Sequence, residues 1–111
     1  MSISTHVLDT SIGRPAAAVA VRLHRQEGAA LIEISRAVTN DDGRVPALLP
    51  ANMPSAPGSF RLTFEVAAYF QRRATDSFYR DVTIDFVITD DGHYHVPLLI
   101  SPYGYSTYRG S

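Results

Sequence analysis

The stretch VTIDFVITDDGHYHVPLLIS, residues 82–101, carries the pattern that decides the fold. Val82-Thr83-Ile84-Asp85-Phe86-Val87-Ile88 alternates apolar and polar side chains, the two-residue period of a strand with one buried face. Asp91-Gly92 follows as a hairpin turn, because Asp and Gly tolerate the positive φ that tight turns impose. Tyr94 to Ser101 then reads as a second, more apolar strand.

The same signals recur upstream. Ser59 to Val66 alternates, with Phe60, Leu62, Phe64 and Val66 facing one way and Arg61, Thr63 and Glu65 the other. Val66 to Arg73 overlaps its end and predicts a short helix, favoured by Ala67-Ala68 and Gln71-Arg72-Arg73. Four prolines between Pro46 and Pro57 predict an irregular connection. Asn40-Asp41-Asp42-Gly43 is a turn after a strand from Ala30 to Thr39, and Glu27-Gly28 ends an earlier strand, Val19 to Arg25. The first strand runs from Ile3 to Leu8, with Asp9 to Pro15 as a turn. Many short strands joined by Gly, Pro, Asn and Asp turns predict an all-β, two-sheet antiparallel sandwich with one short helix.

Composition narrows the chemistry. The 111 residues fit one domain spanning 1–111, and 45% apolar with 19% charged residues is ordinary for a folded protein. A net charge of −1 gives no electrostatic case for nucleic acid or an anionic membrane. No apolar run approaches the roughly 20 residues of a membrane span. The N-terminal MSISTHVLDT lacks a basic segment followed by an apolar one, so a cytoplasmic location is expected. Cysteine is absent, which removes disulfides and thiolate chemistry. All ten basic residues are arginine, so no lysine can form a Schiff base.

What remains is His, Arg, Asp/Glu, Ser/Thr and Tyr. His93 and His95 lie two apart and so share a strand face. They read either as a solvated residue and its neighbour or as two ligands of a zinc site lacking an obvious third. His6 alternates with Ser4 and Leu8 on the first strand, and His24, beside Arg25, reads as a surface residue. The chain closes on Tyr108-Arg109-Gly110-Ser111 after an apolar run, which predicts a terminus tied to the folded body rather than a frayed one.

Two segments resemble the signatures of the transthyretin-like 5-hydroxyisourate hydrolases: THVLDTSIGRPA, from Thr5 to Ala16, and HVPLLISPYGYSTYRGS, from His95 to Ser111. DGR, Asp42 to Arg44, matches a further motif, and the final Tyr-Arg-Gly-Ser separates these enzymes from transthyretin, the hormone carrier. The resemblance implies an eight-stranded sandwich with a helix after the fifth strand. It also implies a homotetramer, a dimer of dimers, whose active sites lie in clefts at the dimer–dimer interface.

By the same resemblance His6 and His95 are the catalytic histidines, with base and acid unassigned between them. Arg44 is both catalytic, as a stabiliser of the oxyanion, and a binder of the substrate, 5-hydroxyisourate. Ser111 closes the pocket as a further catalytic group, and Tyr108, Arg109 and Gly110 position the tail and contact substrate. The implied reaction is attack of water on a cyclic amide carbon, giving 2-oxo-4-hydroxy-4-carboxy-5-ureidoimidazoline in urate degradation, with no metal or organic cofactor. Such attack requires a base, an oxyanion donor and an acid for the leaving nitrogen. The alternatives are a transthyretin-type carrier of small ligands and a structural sandwich that mediates protein contacts.

Overall fold

The computed structural model describes residues 1–53 and 57–111. Nine strands and one helix are present among them: β1 (Ser2–Asp9), β2 (Arg14–Pro15), β3 (Ala20–Glu27), β4 (Ala30–Val38), β5 (Arg44–Val45), β6 (Gly58–Phe64), α1 (Val66–Arg72), β7 (Val82–Ile88), β8 (His93–Ser101) and β9 (Gly104–Thr107). One sheet has the order β2-β1-β8-β9, with β5 also on β1, and the other has the order β4-β3-β6-β7. The alternating side chains meet between the sheets. Ile3, Val7, Leu98 and Ile100 from the first join Val21, Leu23, Phe60, Leu62 and Phe64 from the second in one buried cluster. The Pro46–Pro57 connection contains no strand among its described residues, and its remainder, 54–56, lies outside them.

Three features differ from the sequence-based expectation. Both sheets are antiparallel except at β1 and β8, which pair in parallel. A parallel pair needs a long crossover, and here nearly the whole chain supplies it. Asp91-Gly92 is not a hairpin turn, because β7 pairs with β6 while β8 pairs with β1 and β9. The turn passes the chain from one sheet to the other, as Asn40–Gly43 does between β4 and β5. Turn chemistry reports local backbone shape and is silent on which strands then pair. Finally, Gly104–Thr107 is a strand of its own, raising the count from about eight to nine with two strands of only two residues.

Helix α1 is fastened to the end of β1 by a buried polar contact. Tyr69 Oη donates to Asp9 Oδ2 at 2.9 Å, while Oδ1 of the same carboxylate accepts from the Ser11 amide and hydroxyl. Asp9 is 1% exposed, so these donors stand in for the water it has lost. Burial, then the bond to Asp9, pushes the Tyr69 phenol up to about 12. Tyr69→Phe therefore leaves a buried carboxylate oxygen without its donor, at a cost of about 1–3 kcal/mol. A urea unfolding midpoint equal to that of the parent protein would refute this.

Candidate active site

The outward face of the first sheet gathers the polar residues that the strand pattern left over. On β1, Ile3, Thr5 and Val7 are buried, so Ser2, Ser4 and His6 point the other way. On β8, Tyr94, Val96 and Leu98 are buried, which sends His93, His95 and Pro97 outward. The parallel register then sets Ser2 beside His93, Ser4 beside His95 and His6 beside Pro97. Thr5 reinforces it with a bond from Oγ1 to the Val96 carbonyl at 2.6 Å.

Arg44 arrives from β5, which pairs with β1 so that Arg44 lies opposite His6. The preceding turn fixes this placement. Asn40 Oδ1 accepts from the amides of Asp42 and Arg44, both at 3.0 Å, and the Asn40 carbonyl accepts from Gly43. Gly43 has φ +75°, and a Cβ there would lie 2.3 Å from the Val7 carbonyl oxygen, so only glycine lets the turn sit against β1.

The chain end returns to the same place. Gly110 bridges His95 in antiparallel fashion, its amide donating to the His95 carbonyl at 2.8 Å. Gly110 falls where the register of β8 with β9 would put it. The break between them has a local cause. Continuing that register sets Pro97 opposite Tyr108 at a position that would exchange hydrogen bonds, and proline has no N–H to give. Thr107 Oγ1 occupies the Pro97 carbonyl instead, at 2.7 Å. Tyr108 and Arg109 are thereby released from the ladder, and the Arg109 guanidinium stacks over the Tyr94 ring at 4.4 Å. The tail is tied down, as its sequence predicted.

A groove of about 320 Å³ is lined by Ser4, Arg44, Pro46, His93, His95 and Ser111, among others. His6 is close enough for its charge to bear on His95. Tyr108 and Arg109 are set apart, lining a more apolar cavity of about 250 Å³ that also borders His95. Gly110 packs on the His95 ring itself: a Cβ there would lie 2.5 Å from Cδ2.

The imidazole of His95 is half-buried, and its Nδ1 is engaged by Ser4 Oγ at 2.8 Å, leaving Nε2 for chemistry. Burial pulls its pKa below the ordinary 6.5, and positive charge on Arg44, His6 and His93 pushes the same way. At neutral pH it is an uncharged base facing a guanidinium. His93 is exposed yet bonded to Ser2 and Ser4, so it is more than a solvated neighbour. No group of three His, Cys, Asp or Glu side chains is placed to hold a metal among the described residues. His24, read from the sequence as a surface residue, has its side chain only 17% exposed and lies on the other sheet, 3.9 Å from Glu33.

Ser4 and Ser2 were missed as site residues. Their signal was present, since Ser2, Ser4 and His6 share one period-two stripe and His93 and His95 another. What joins the two stripes is the register, which no local pattern encodes.

The fold agrees with what the chain is related to. The profile of the HIUase/Transthyretin family matches residues 3–110, and the chain belongs to that family. It is 47% identical to a 5-hydroxyisourate hydrolase from Deinococcus radiodurans, covering 98% of this chain and 95% of that one. The solved structure of Klebsiella pneumoniae 5-hydroxyisourate hydrolase superposes with a TM-score of 0.87 at 43% identity, covering 100% of both chains. Sea bream transthyretin in complex with thyroxine gives a TM-score of 0.89 at 26% identity, covering 97% of this chain and 93% of that one.

Two outcomes follow from the geometry. In an NMR titration His95 has a midpoint below 6.5, and Arg44→Ala moves it upward, because a repelling cation is gone. An imidazole held low binds fewer protons folded than unfolded, so its stabilising contribution is complete above 6.5 and is lost as pH falls through the folded value. An unmoved midpoint in Arg44→Ala would show the two groups to be uncoupled. Gly110→Ala, in turn, displaces the tail from the His95 ring and weakens turnover far more than it lowers the melting temperature; unchanged turnover would exclude tail packing as part of the site.

Proposed function

We propose that this chain hydrolyses 5-hydroxyisourate to 2-oxo-4-hydroxy-4-carboxy-5-ureidoimidazoline, the reaction named for its full-length relatives. One observation carries the proposal: a single groove gathers an uncharged imidazole, a guanidinium and Ser111. His95 Nε2 takes a proton from water, and the resulting hydroxide attacks the cyclic amide carbon. Arg44 offers a planar fork of N–H donors to the ring carbonyls and to the oxyanion that develops. His6, opposite Arg44, donates to the departing nitrogen, and Ser111 closes the groove at the chain end.

Gly110 holds the tail against His95, while Tyr108 and Arg109 act on substrate only from the adjoining cavity. Residues 1–111 work as one domain within a homotetramer, a dimer of dimers. Two features support this: the groove opens on the outer face of a sheet, and β7 and β9 end their sheets with edges unpaired among the described residues. The cytoplasmic setting expected from the sequence belongs to the same proposal.

Likeness to the thyroxine-binding relative at 26% identity lies in the sandwich, and a carrier has no use for a neutral base beside a guanidinium. The test is to generate 5-hydroxyisourate in situ from urate and follow its ultraviolet decay. The parent protein accelerates the decay. His95→Ala and His6→Ala each lose about 10²–10⁴-fold while keeping the parent melting temperature. Near-normal turnover in both variants would remove the assignment.

A further inference from the structure

Four side chains on the outward face alternate hydroxyl and imidazole in an unbroken line. Ser2 Oγ lies 2.5 Å from His93 Nδ1, His93 Nε2 lies 3.0 Å from Ser4 Oγ, and Ser4 Oγ lies 2.8 Å from His95 Nδ1. The two rings are nearly parallel, 15° apart, with centroids 6.4 Å from one another, the spacing that one hydroxyl can bridge. The line runs from exposed His93 to Ser4, which is 7% exposed, and ends on the proposed base. We propose that Ser4, His93 and Ser2 form a proton relay that carries to solvent the proton His95 removes from water.

The need for an exit comes from the reaction, so the relay rests on the hydrolase reading. Opening a cyclic amide with water at neutral pH yields a carboxylate and a nitrogen that keeps the proton His6 donates. Of water's two protons one replaces that of His6, so the other must leave in each turnover. Every link can pass one. As Nε2 of His95 gains the proton of water, Nδ1 gives its own to Ser4 Oγ. Ser4 passes its original proton to His93 Nε2, and His93 Nδ1 releases one through Ser2 to bulk water. Each N–H or O–H bond broken is matched by one formed, and the hydroxide goes to carbon. Once product has left, Nε2 gives its proton to water and the line returns one to Nδ1, which restores the starting tautomers. A serine is suited to the middle position because its hydroxyl accepts from one ring while donating to the other. An imidazole suits the outer position because it gains a proton on one nitrogen as it loses one from the other.

Ser4 and His93 are thus positioning and relay residues that act through His95. The discriminating variant is His93→Gln, whose amide keeps a donor and an acceptor but cannot transmit a proton. It lowers kcat about tenfold in dilute buffer, less than loss of a direct base, with KM unchanged. Added imidazole restores the rate by taking the proton instead. Ser4→Ala behaves likewise, and Ser4→Thr, which keeps the hydroxyl, retains activity. A parent-like kcat for His93→Gln in dilute buffer, or a deficit that buffer does not relieve, overturns the relay. A second measurement needs no substrate: ¹⁵N NMR of the histidines shows the neutral His95 ring protonated on Nδ1, and Ser4→Ala shifts that preference. A parent ring protonated on Nε2 overturns the relay. If the parent protein leaves 5-hydroxyisourate untouched, the hydrolase reading fails, while the nitrogen spectra still decide whether the chain of hydrogen bonds is poised as described.

Discussion

Ile3, Thr5 and Val7 on β1 and Tyr94, Val96 and Leu98 on β8 are buried together, and their parallel pairing holds the rest in place. A slip of β1 by one residue would turn Ile3 and Val7 to the outside and bring Ser4 and His6 in. The register is therefore enforced by core burial, at roughly 25 cal/mol for each Å² of apolar surface removed from water. The outward face inherits that precision. Ser4 meets His95 because Ile3 and Thr5 have to meet the core.

The tail shows the same economy. Pro97 is outward-facing and contributes a carbonyl but no N–H, so the β8–β9 ladder breaks where proline sits. That break frees Tyr108 and Arg109 to stack and line a cavity, and Gly110 then re-enters the register against the His95 ring. Glycine is required because the chain passes within contact distance of an imidazole. The result is a terminus held by a hydrogen bond and by close packing, with Ser111 lining the groove.

The family takes in 5-hydroxyisourate hydrolases and transthyretin, and the sandwich is common to both. The polar chemistry of this chain lies on the outer face of its first sheet. An imidazole kept uncharged by burial and by a neighbouring guanidinium is poised to accept a proton, whereas a ligand channel gains nothing from such an arrangement. In the proposed reading function is carried by residues that contribute little to the core.

Periodicity alone was enough to locate the longer strands and the helix, because alternation at two residues and helix-favouring runs are local consequences of burying one face. It also placed His93 with His95 and Ser4 with His6 on shared stripes. The terminal motifs pointed to the family and to His6, His95 and Ser111, and the DGR motif to Arg44. Asp91-Gly92 and Asn40–Gly43 were legible as turns but not as crossings between sheets, since a turn's φ and ψ do not say which strand comes next. The strand at Gly104–Thr107 was hidden by its brevity and polar, exposed side chains. Only the tertiary structure decided that Ser4 orients His95, that Gly110 covers its ring and that Arg44 faces His6. Those contacts join residues up to 91 positions apart, and their partners are selected by the packing of a core formed by the whole chain.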